Sequence, residues 1–463
     1  MDSKSFEEKE LEILRKSVDN ATSIKGKKLV QSDSVKNIIN ILEFFLRSNR
    51  TLCYGGTAVN NILPEQYRFY DKNLEIPDYD FFSPNALELA KKLANLYYKK
   101  GFNEVEAKSA VHSGTYKVYV NFIPIADITY LEPEFFNSLY HHSIKINAIS
   151  YCPPNYLRMA MYQELSRPMG DVSRWEKILK RLILLNKNFP LKGIKCNDMN
   201  FQRKYEGSKE EQDNVYNIVR KSIINQGLVF FGGYAASLYG KYMPKNEKKY
   251  IDTIPDFDIL SEYPHDSAYI IKEQLIYEGY TDVQIIKESS IGEYVDEHYQ
   301  IIVNKDVIAI IYKLNACQSY NVIYINNEKI KVASIDTMLT FYLVFIYSNK
   351  PYFDENRLLC MSEYLLKVQL KNRLQQKGLL KRFTTLCSGN QQSLEDIRNI
   401  KNIKFKELQD NKINPNSKEF QKHFLRYLPR NELTKTKSKS KSKTKNKTKS
   451  KTKSKTKSKS KTK

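Results

Sequence analysis

LCYGGTAVNNILPE at residues 52–65, followed by IPDYDFFS at 76–83, returns as VFFGGYAASLYGKYM at 229–243 followed by IPDFDILS at 254–261. The order around each pair is the same. A helical stretch follows, ending in KGF at 100–102 and in EGY at 278–280. A β segment comes next, YKVYVNFIPIADITYL at 116–131 against YQIIVNKDVIAIIYKL at 299–314. The offsets are 177 residues for the glycines, 178 for the carboxylates and 183 for the last strand. Three matching blocks in one order imply an internal duplication. Each copy alternates strand and helix, so the expected fold class is α+β, with tandem duplicated domains each built as a small mixed sheet with helices.

The rest of the 463 residues arranges itself around these copies. Residues 1–50 read as an N-terminal helical segment, because Val35, Ile38, Ile39, Ile41, Leu42 and Phe45 recur at helical spacing. The first copy is expected over 51–190 and a polar linker over 191–212. The second copy is expected over 213–433, with helices from about 334 to 428. The chain holds 75 Lys and Arg against 52 Asp and Glu, a net +23, yet residues 434–463 supply fifteen Lys and no acid. The body therefore carries only +8. The tail alternates Lys with Ser, Thr or Asn and has nothing apolar to bury, so a disordered basic tail is expected. Fifteen lysines would bind any polyanion in a salt-sensitive, sequence-blind way.

Six dispersed cysteines with no C-x-x-C pair suggest neither a zinc site nor a disulfide framework, and they read as reduced intracellular thiols. MDSKSFEEKELEIL is no signal peptide. The apolar stretch from Met338 to Tyr347 is about half the ~20 residues that cross a bilayer, so a soluble protein with no membrane partner is expected.

The motifs carry a specific chemistry. Asp78 and Asp80 sit two positions apart on a strand, so both side chains point to one face. Two carboxylates held together repel unless a cation lies between them. Asp127, in PIADITY, is placed to complete an oxygen-rich site for Mg²⁺. Gly55 and Gly56 lack Cβ atoms and would let a phosphate approach the backbone, while Thr57 would open a helix aimed at the anion. These parts suit phosphoryl or nucleotidyl transfer with two metals. Arg174 and Lys177, at i and i+3 of SRWEK, could reach triphosphate or RNA phosphate, and Trp175 is expected to be buried. Lys180 and Arg181 read as plain surface charges. His141 and His142 lack any ligand spacing and read as surface or satisfied residues. In the second copy Asp256 and Asp258 match the acid pair, but Asp127 falls opposite Ile310, which cannot bind a metal. The first copy is therefore the expected engine.

The ordered set of strand, Gly-Gly, helix, Asp-x-Asp strand and later Asp strand resembles the DNA-polymerase-β-like nucleotidyltransferase superfamily. The tandem copies, CYGGTAVN, IPDYDFFSP, the RWEK helix and IDTMLTFYLVFIY resemble the viral poly(A) polymerase catalytic subunits of the giant-virus, asfarvirus and poxvirus type. That resemblance implies two nucleotidyltransferase domains, the second degenerate. It implies a template-independent polymerase that adds AMP from ATP to the 3′ end of single-stranded RNA, with Mg²⁺ or Mn²⁺ as cofactor. Asp78, Asp80 and Asp127 would be the catalytic metal ligands. Gly55, Gly56 and Thr57 would lie against the ATP phosphates, joined by Arg174 and Lys177. It further implies a homodimer or a processivity partner, and a viral protein found in the virion or the host cytoplasm, in a virus factory. The competing readings are another nucleotidyltransferase, of the CCA-adding type or one modifying a small molecule, and a non-catalytic nucleic-acid-binding scaffold.

Overall fold

The computed structural model describes residues 6–429 apart from 31, 72–73, 249–252, 293 and 373–374. The lysine-rich stretch 434–463 lies outside the described residues. Two helices lead, α1 (Phe6–Val30) and α2 (Asp33–Ser48). In α2 the Ser32 hydroxyl accepts from the Val35 N–H and caps the first turn. Its apolar stripe of Val35, Ile38, Ile41, Leu42, Phe45 and Leu46 is buried. The first unit then runs β1 (Leu52–Tyr54), α3 (Gly55–Ile62), β2 (Tyr79–Ser83), α4 (Ala86–Lys99), β3 (Val105–Ser109), β4 (Thr115–Val120), β5 (Ile123–Tyr130), α5 (Pro133–His141), β6 (Ile144–Ile146), β7 (Ile149–Tyr151), α6 (Pro154–Leu165) and α7 (Trp175–Asn188).

The second unit repeats this order. It runs α8 (Lys209–Asn225), β8 (Val229–Phe231), α9 (Gly232–Leu238), β9 (Phe257–Ser261), α10 (Pro264–Tyr277), β10 (Val283–Glu288), β11 (His298–Val303), β12 (Asp306–Lys313), β13 (Gln318–Ile325), β14 (Glu328–Ala333), α11 (Ile335–Phe345) and α12 (Glu355–Lys371). A short β15 (Cys387–Ser388), α13 (Leu394–Asp410), α14 (Lys418–Phe424) and β16 (Arg426–Tyr427) follow.

Each unit builds one eight-stranded mixed sheet, ordered β16-β3-β4-β5-β2-β1-β7-β6 in the first and β10-β11-β12-β9-β8-β14-β13-β15 in the second. Seven strands correspond one to one. Even the irregularity between β4 and β5, at Val118/Tyr119, recurs between β11 and β12 at Ile301/Ile302. The duplication also extends beyond the three sequence blocks. The hairpins β6–β7 and β13–β14 occupy matching sheet positions, turning at Asn147-Ala148 and Asn326-Asn327, all four with positive φ. That positive-φ pair is the turn geometry that follows the strand twist. The equivalent helices α6 and α11, each following its hairpin, pack on one another and join the two units.

The chain ends crosswise. The strand β16 pairs antiparallel with β3, Arg426 opposite Lys108 and Tyr427 opposite Ala107, so residues after the second unit finish the edge of the first sheet. The Tyr427 hydroxyl donates to Asn95 Oδ1 at 2.9 Å, and the Tyr116 hydroxyl to the Lys422 carbonyl at 2.9 Å.

The cysteine expectation is corrected. Cys196 is bonded to Cys360 and Cys317 to Cys387, while Cys53 and Cys152 stay free and buried. The partners are 164 and 70 residues apart, brought together by tertiary folding, so local spacing carried no trace of them. No helix among the described residues is long and apolar enough to cross a membrane.

A buried histidine gives the second sheet a pH response. His298 stacks on Tyr312, with ring centroids 4.9 Å apart, and its Nε2 lies 2.8 Å from the Tyr352 hydroxyl. Burial lowers its pKa to about 4. A depressed folded-state value means the stability is present above the unfolded pKa near 6.5 and is lost as pH falls towards 4. Chemical denaturation at pH 7 and pH 4 should show a loss of about 2–3 kcal/mol that His298→Gln lacks.

Candidate active site

The sheet topology brings the acids of the first copy together. The strands β2 and β5 run parallel, with Asp80 the register partner of Asp127. Neighbouring strands lie about 4.8 Å apart, so these two carboxylates share one locality. Asp78 immediately precedes β2, and the strand's alternation puts it on the side of Asp80. The three acids act on one another electrically. Burial pushes Asp80 up to about 7, helped by the charges of Asp78 and Asp127 and opposed by Lys117 and Arg174. Burial and then Asp127 also raise Asp78.

Lys117 escaped the sequence reading. It faces Asp127 across the β4–β5 pairing, and its Nζ donates to Asp127 Oδ2 at 2.5 Å. Among the described residues no group of three or more His, Cys, Asp or Glu is gathered tightly enough to hold a metal ion. Asp127 is turned to an ammonium instead. The donor chemistry nonetheless fits a hard divalent cation. Three carboxylates lie within electrostatic reach of one another, two of them pushed towards neutrality, and all are oxygen donors.

The glycine bend is covered by protein side chains. Gly55 has φ +74°, and a Cβ there would come within 2.5 Å of Asp80 Oδ2. A Cβ on Gly56 would come within 2.6 Å of the Tyr70 hydroxyl and 2.8 Å of Arg181 Nη1. Both glycines are needed, and what presses on them is a carboxylate, a phenol and a guanidinium. Thr57 does not open the helix, which begins at Gly55 after an uncapped Tyr54. Thr57 is buried in the first turn, and its hydroxyl donates to the Asp78 carbonyl at 2.6 Å, bracing the acid strand.

Arg181 is likewise no surface charge. It is buried, donates to the Tyr70 hydroxyl at 2.6 Å and lies over the rings of Phe69 and Tyr70. The long stretch between Gly56 and Asp78 delivers that tyrosine. Asn60 Oδ1 accepts from the Phe69 and Tyr70 N–H groups at 2.8 and 2.9 Å and folds the stretch back onto α3.

Arg174 lies in a 3-10 turn just before α7 and pairs with Glu164 at 3.3 Å, while Lys177 is in the first turn of α7. Trp175 is half-buried, its indole N–H donating to the Glu164 carbonyl at 3.0 Å. Lys177 borders a cavity of about 510 Å³ whose walls include Lys36, Ile39, Tyr70, Pro77 and Asp78. That volume suits a small ligand of nucleoside size.

The second copy has the same scaffold and a different filling. Ile310 is the register partner of Asp258, as Asp127 is of Asp80, so the third acid is absent there. Gln300 takes the place of Lys117 opposite that isoleucine. Asp256 and Asp258 instead hold Arg203.

Comparison with known proteins agrees with this geometry. Residues 40–171 match the family model described as poly(A) polymerase catalytic subunit. A protein of Acanthamoeba polyphaga mimivirus named for that subunit is 32% identical over 158 residues, covering 33% of this chain and 26% of the relative. One of African swine fever virus (strain Badajoz 1971 Vero-adapted), named likewise, is 29% identical over 174 residues, 36% of each chain. The matched stretch thus spans about a quarter to a third of these relatives. The crystal structure of the Megavirus polyadenylate synthase superposes with a TM-score of 0.75 at 18% identity, covering 94% of this chain and 88% of that one. The fold is therefore that of the polyadenylate synthase, and residues 40–171, which hold all three acids and the glycine bend, carry the sequence pattern of the poly(A) polymerase catalytic subunits.

Proposed function

We propose that this chain is a template-independent polyadenylate polymerase that transfers AMP from ATP to the 3′ hydroxyl of single-stranded RNA and releases pyrophosphate. The observation that carries the reading is the register pairing of Asp80 with Asp127 beside Asp78 and the glycine bend, in a unit similar to viral poly(A) polymerase subunits. Asp78, Asp80 and Asp127 would hold Mg²⁺ or Mn²⁺, which when bound neutralises triphosphate charge and activates a hydroxyl. Gly55 and Gly56 open α3, whose free N–H groups attract phosphate, and Arg181 adds a fixed positive charge at that bend. Lys177, and Arg174 once it leaves Glu164, extend the cationic side of the site. Lys117 holds the Asp127 carboxylate in place through its ion pair.

The net positive charge of body and tail supports a polyanionic acceptor over a small-molecule one. The viral relatives support a virus-encoded enzyme working in the host cytoplasm or packaged in the virion. Association with a second copy or a processivity subunit accompanies this reading.

The test is extension of an oligo-RNA primer with each labelled nucleoside triphosphate. Long tracts made only from ATP are the expected result. Three-nucleotide addition would indicate CCA synthesis, and a mobility shift without extension a binding scaffold. Gly55→Ala should lower stability by about 1–3 kcal/mol, through its positive φ and the collision with Asp80, and should reduce AMP incorporation more than tenfold. Denaturation curves and initial rates on the same preparation would check both.

A further inference from the structure

The second unit keeps two acids that the reaction does not require, and a segment of the chain itself sits on them. Asp256 is 2% exposed. The Arg203 backbone N–H donates to Asp256 Oδ2 at 2.7 Å, and its Nη1 donates to Asp258 Oδ1 at 3.3 Å. Its Nη2 is in ion contact with Asp256 Oδ1, yet that pair is not aligned as a hydrogen bond, and Nε has no acceptor either. Charge, more than fork-to-fork fit, holds this guanidinium in place. Arg357 is a further cation within electrostatic reach of Asp258, and the Tyr312 and Tyr342 hydroxyls complete its surroundings.

Two residues before the arginine, the Phe201 carbonyl lies against Gly233, the counterpart of Gly56. A Cβ on Gly233 would meet that oxygen at 2.6 Å. The stretch 201–203 therefore covers both halves of the repeated motif, the acid pair and the glycine bend. Among the described residues of the first unit, the nearest atoms to the bend belong to the side chains of Asp80, Tyr70 and Arg181.

We propose that Phe201–Arg203 is a built-in occupant of the second unit's site, with the Arg203 guanidinium standing in for a divalent cation. The site is a cation site closed from within, which a metal ion enters only when the arginine is removed. A buried acid pair must be neutralised, and in this chain a covalently tethered charge meets that need at every ion concentration. The Phe201 carbonyl also turns an acceptor oxygen to the bend, which disfavours a phosphate there, where the first unit presents the Tyr70 hydroxyl and the Arg181 guanidinium. The inference borrows from the proposed function only the type of ion that such acids attract, and its readout is binding and stability in the second unit.

The experiment compares full-length Asp80→Asn with Asp80→Asn/Arg203→Met, each melted in EDTA and in millimolar Mn²⁺, with bound Mn²⁺ counted by electron paramagnetic resonance. The double variant should melt lower in EDTA, recover by several degrees in Mn²⁺ and bind one additional ion per chain. Adding Asp258→Asn should cancel the recovery, and Arg203→Lys should neither lose much stability nor gain the ion. Should Arg203→Met fail to fold in EDTA, refolding in Mn²⁺ should restore soluble protein. No increment in bound Mn²⁺ between the two chains, or no rescue on refolding, overturns the proposal. Mn²⁺ bound as tightly by Asp80→Asn alone as by wild type would instead count against the first-unit assignment, which separates the two failures.

Discussion

Asp80→Asn is expected to reduce AMP incorporation about a thousandfold or more, equivalent to roughly 4 kcal/mol of barrier, without unfolding the protein. The substitution preserves the shape of the side chain and removes an oxygen donor and a charge from the centre of the acid group. Stability should not suffer in the absence of divalent ions. Burial together with Asp78 and Asp127 disfavours the ionised form of Asp80, so an uncharged amide relieves repulsion. Primer extension and a thermal melt in EDTA at pH 8 give the two readouts. A wild-type rate would remove the site assignment, and a melt lowered by many degrees would turn the residue into a structural one.

Asp256→Ala, at the equivalent of Asp78 in the other copy, should behave in the opposite way. It strips one acid from a buried guanidinium that has only Asp258 left beside it. Removing one partner of a buried ion pair costs about 3–5 kcal/mol, because the survivor is left uncompensated. The folded fraction should still extend primers near the wild-type rate, since the proposed reacting groups lie in the other sheet. Urea denaturation gives the first quantity, and activity corrected for folded protein the second. Loss of all activity in folded protein would move the chemistry to the second unit.

Which of these features could be read from residues alone follows from where their partners lie. The grouping of Asp127 with Asp78 and Asp80, and its replacement by Ile310 in the second copy, were legible because both copies keep the same motif order and nearly the same offsets. The strand register that pairs Asp80 with Asp127 and Asp258 with Ile310 came only with the structure. The hairpins at 144–151 and 318–333 were missed. In the first copy the strands are three residues each, too short for a period to register. Arg203, Lys117 and Arg181 looked like ordinary charges among 75, since nothing local distinguishes a cation that will be buried against a distant acid or phenol. Lys117 did carry one faint mark, being replaced by glutamine in the copy that lost Asp127. Thr57 was misread because a helix opened by Gly-Gly after an extended tyrosine looks, in letters, like one capped two residues later. The disulfides were invisible because their cysteines converge only once α12 and β15 are in place.

The crosswise ending of the chain sets a rule for anyone trimming it. Ridding the protein of its lysines by cutting at the end of α13 would take α14 and β16 as well, leaving β3 with a bare row of backbone donors and acceptors. Open margins of that kind adhere to one another, so such a product would be expected to clump, and the fault could be mistaken for a requirement for the basic extension. Shears applied after Pro429 spare the hem.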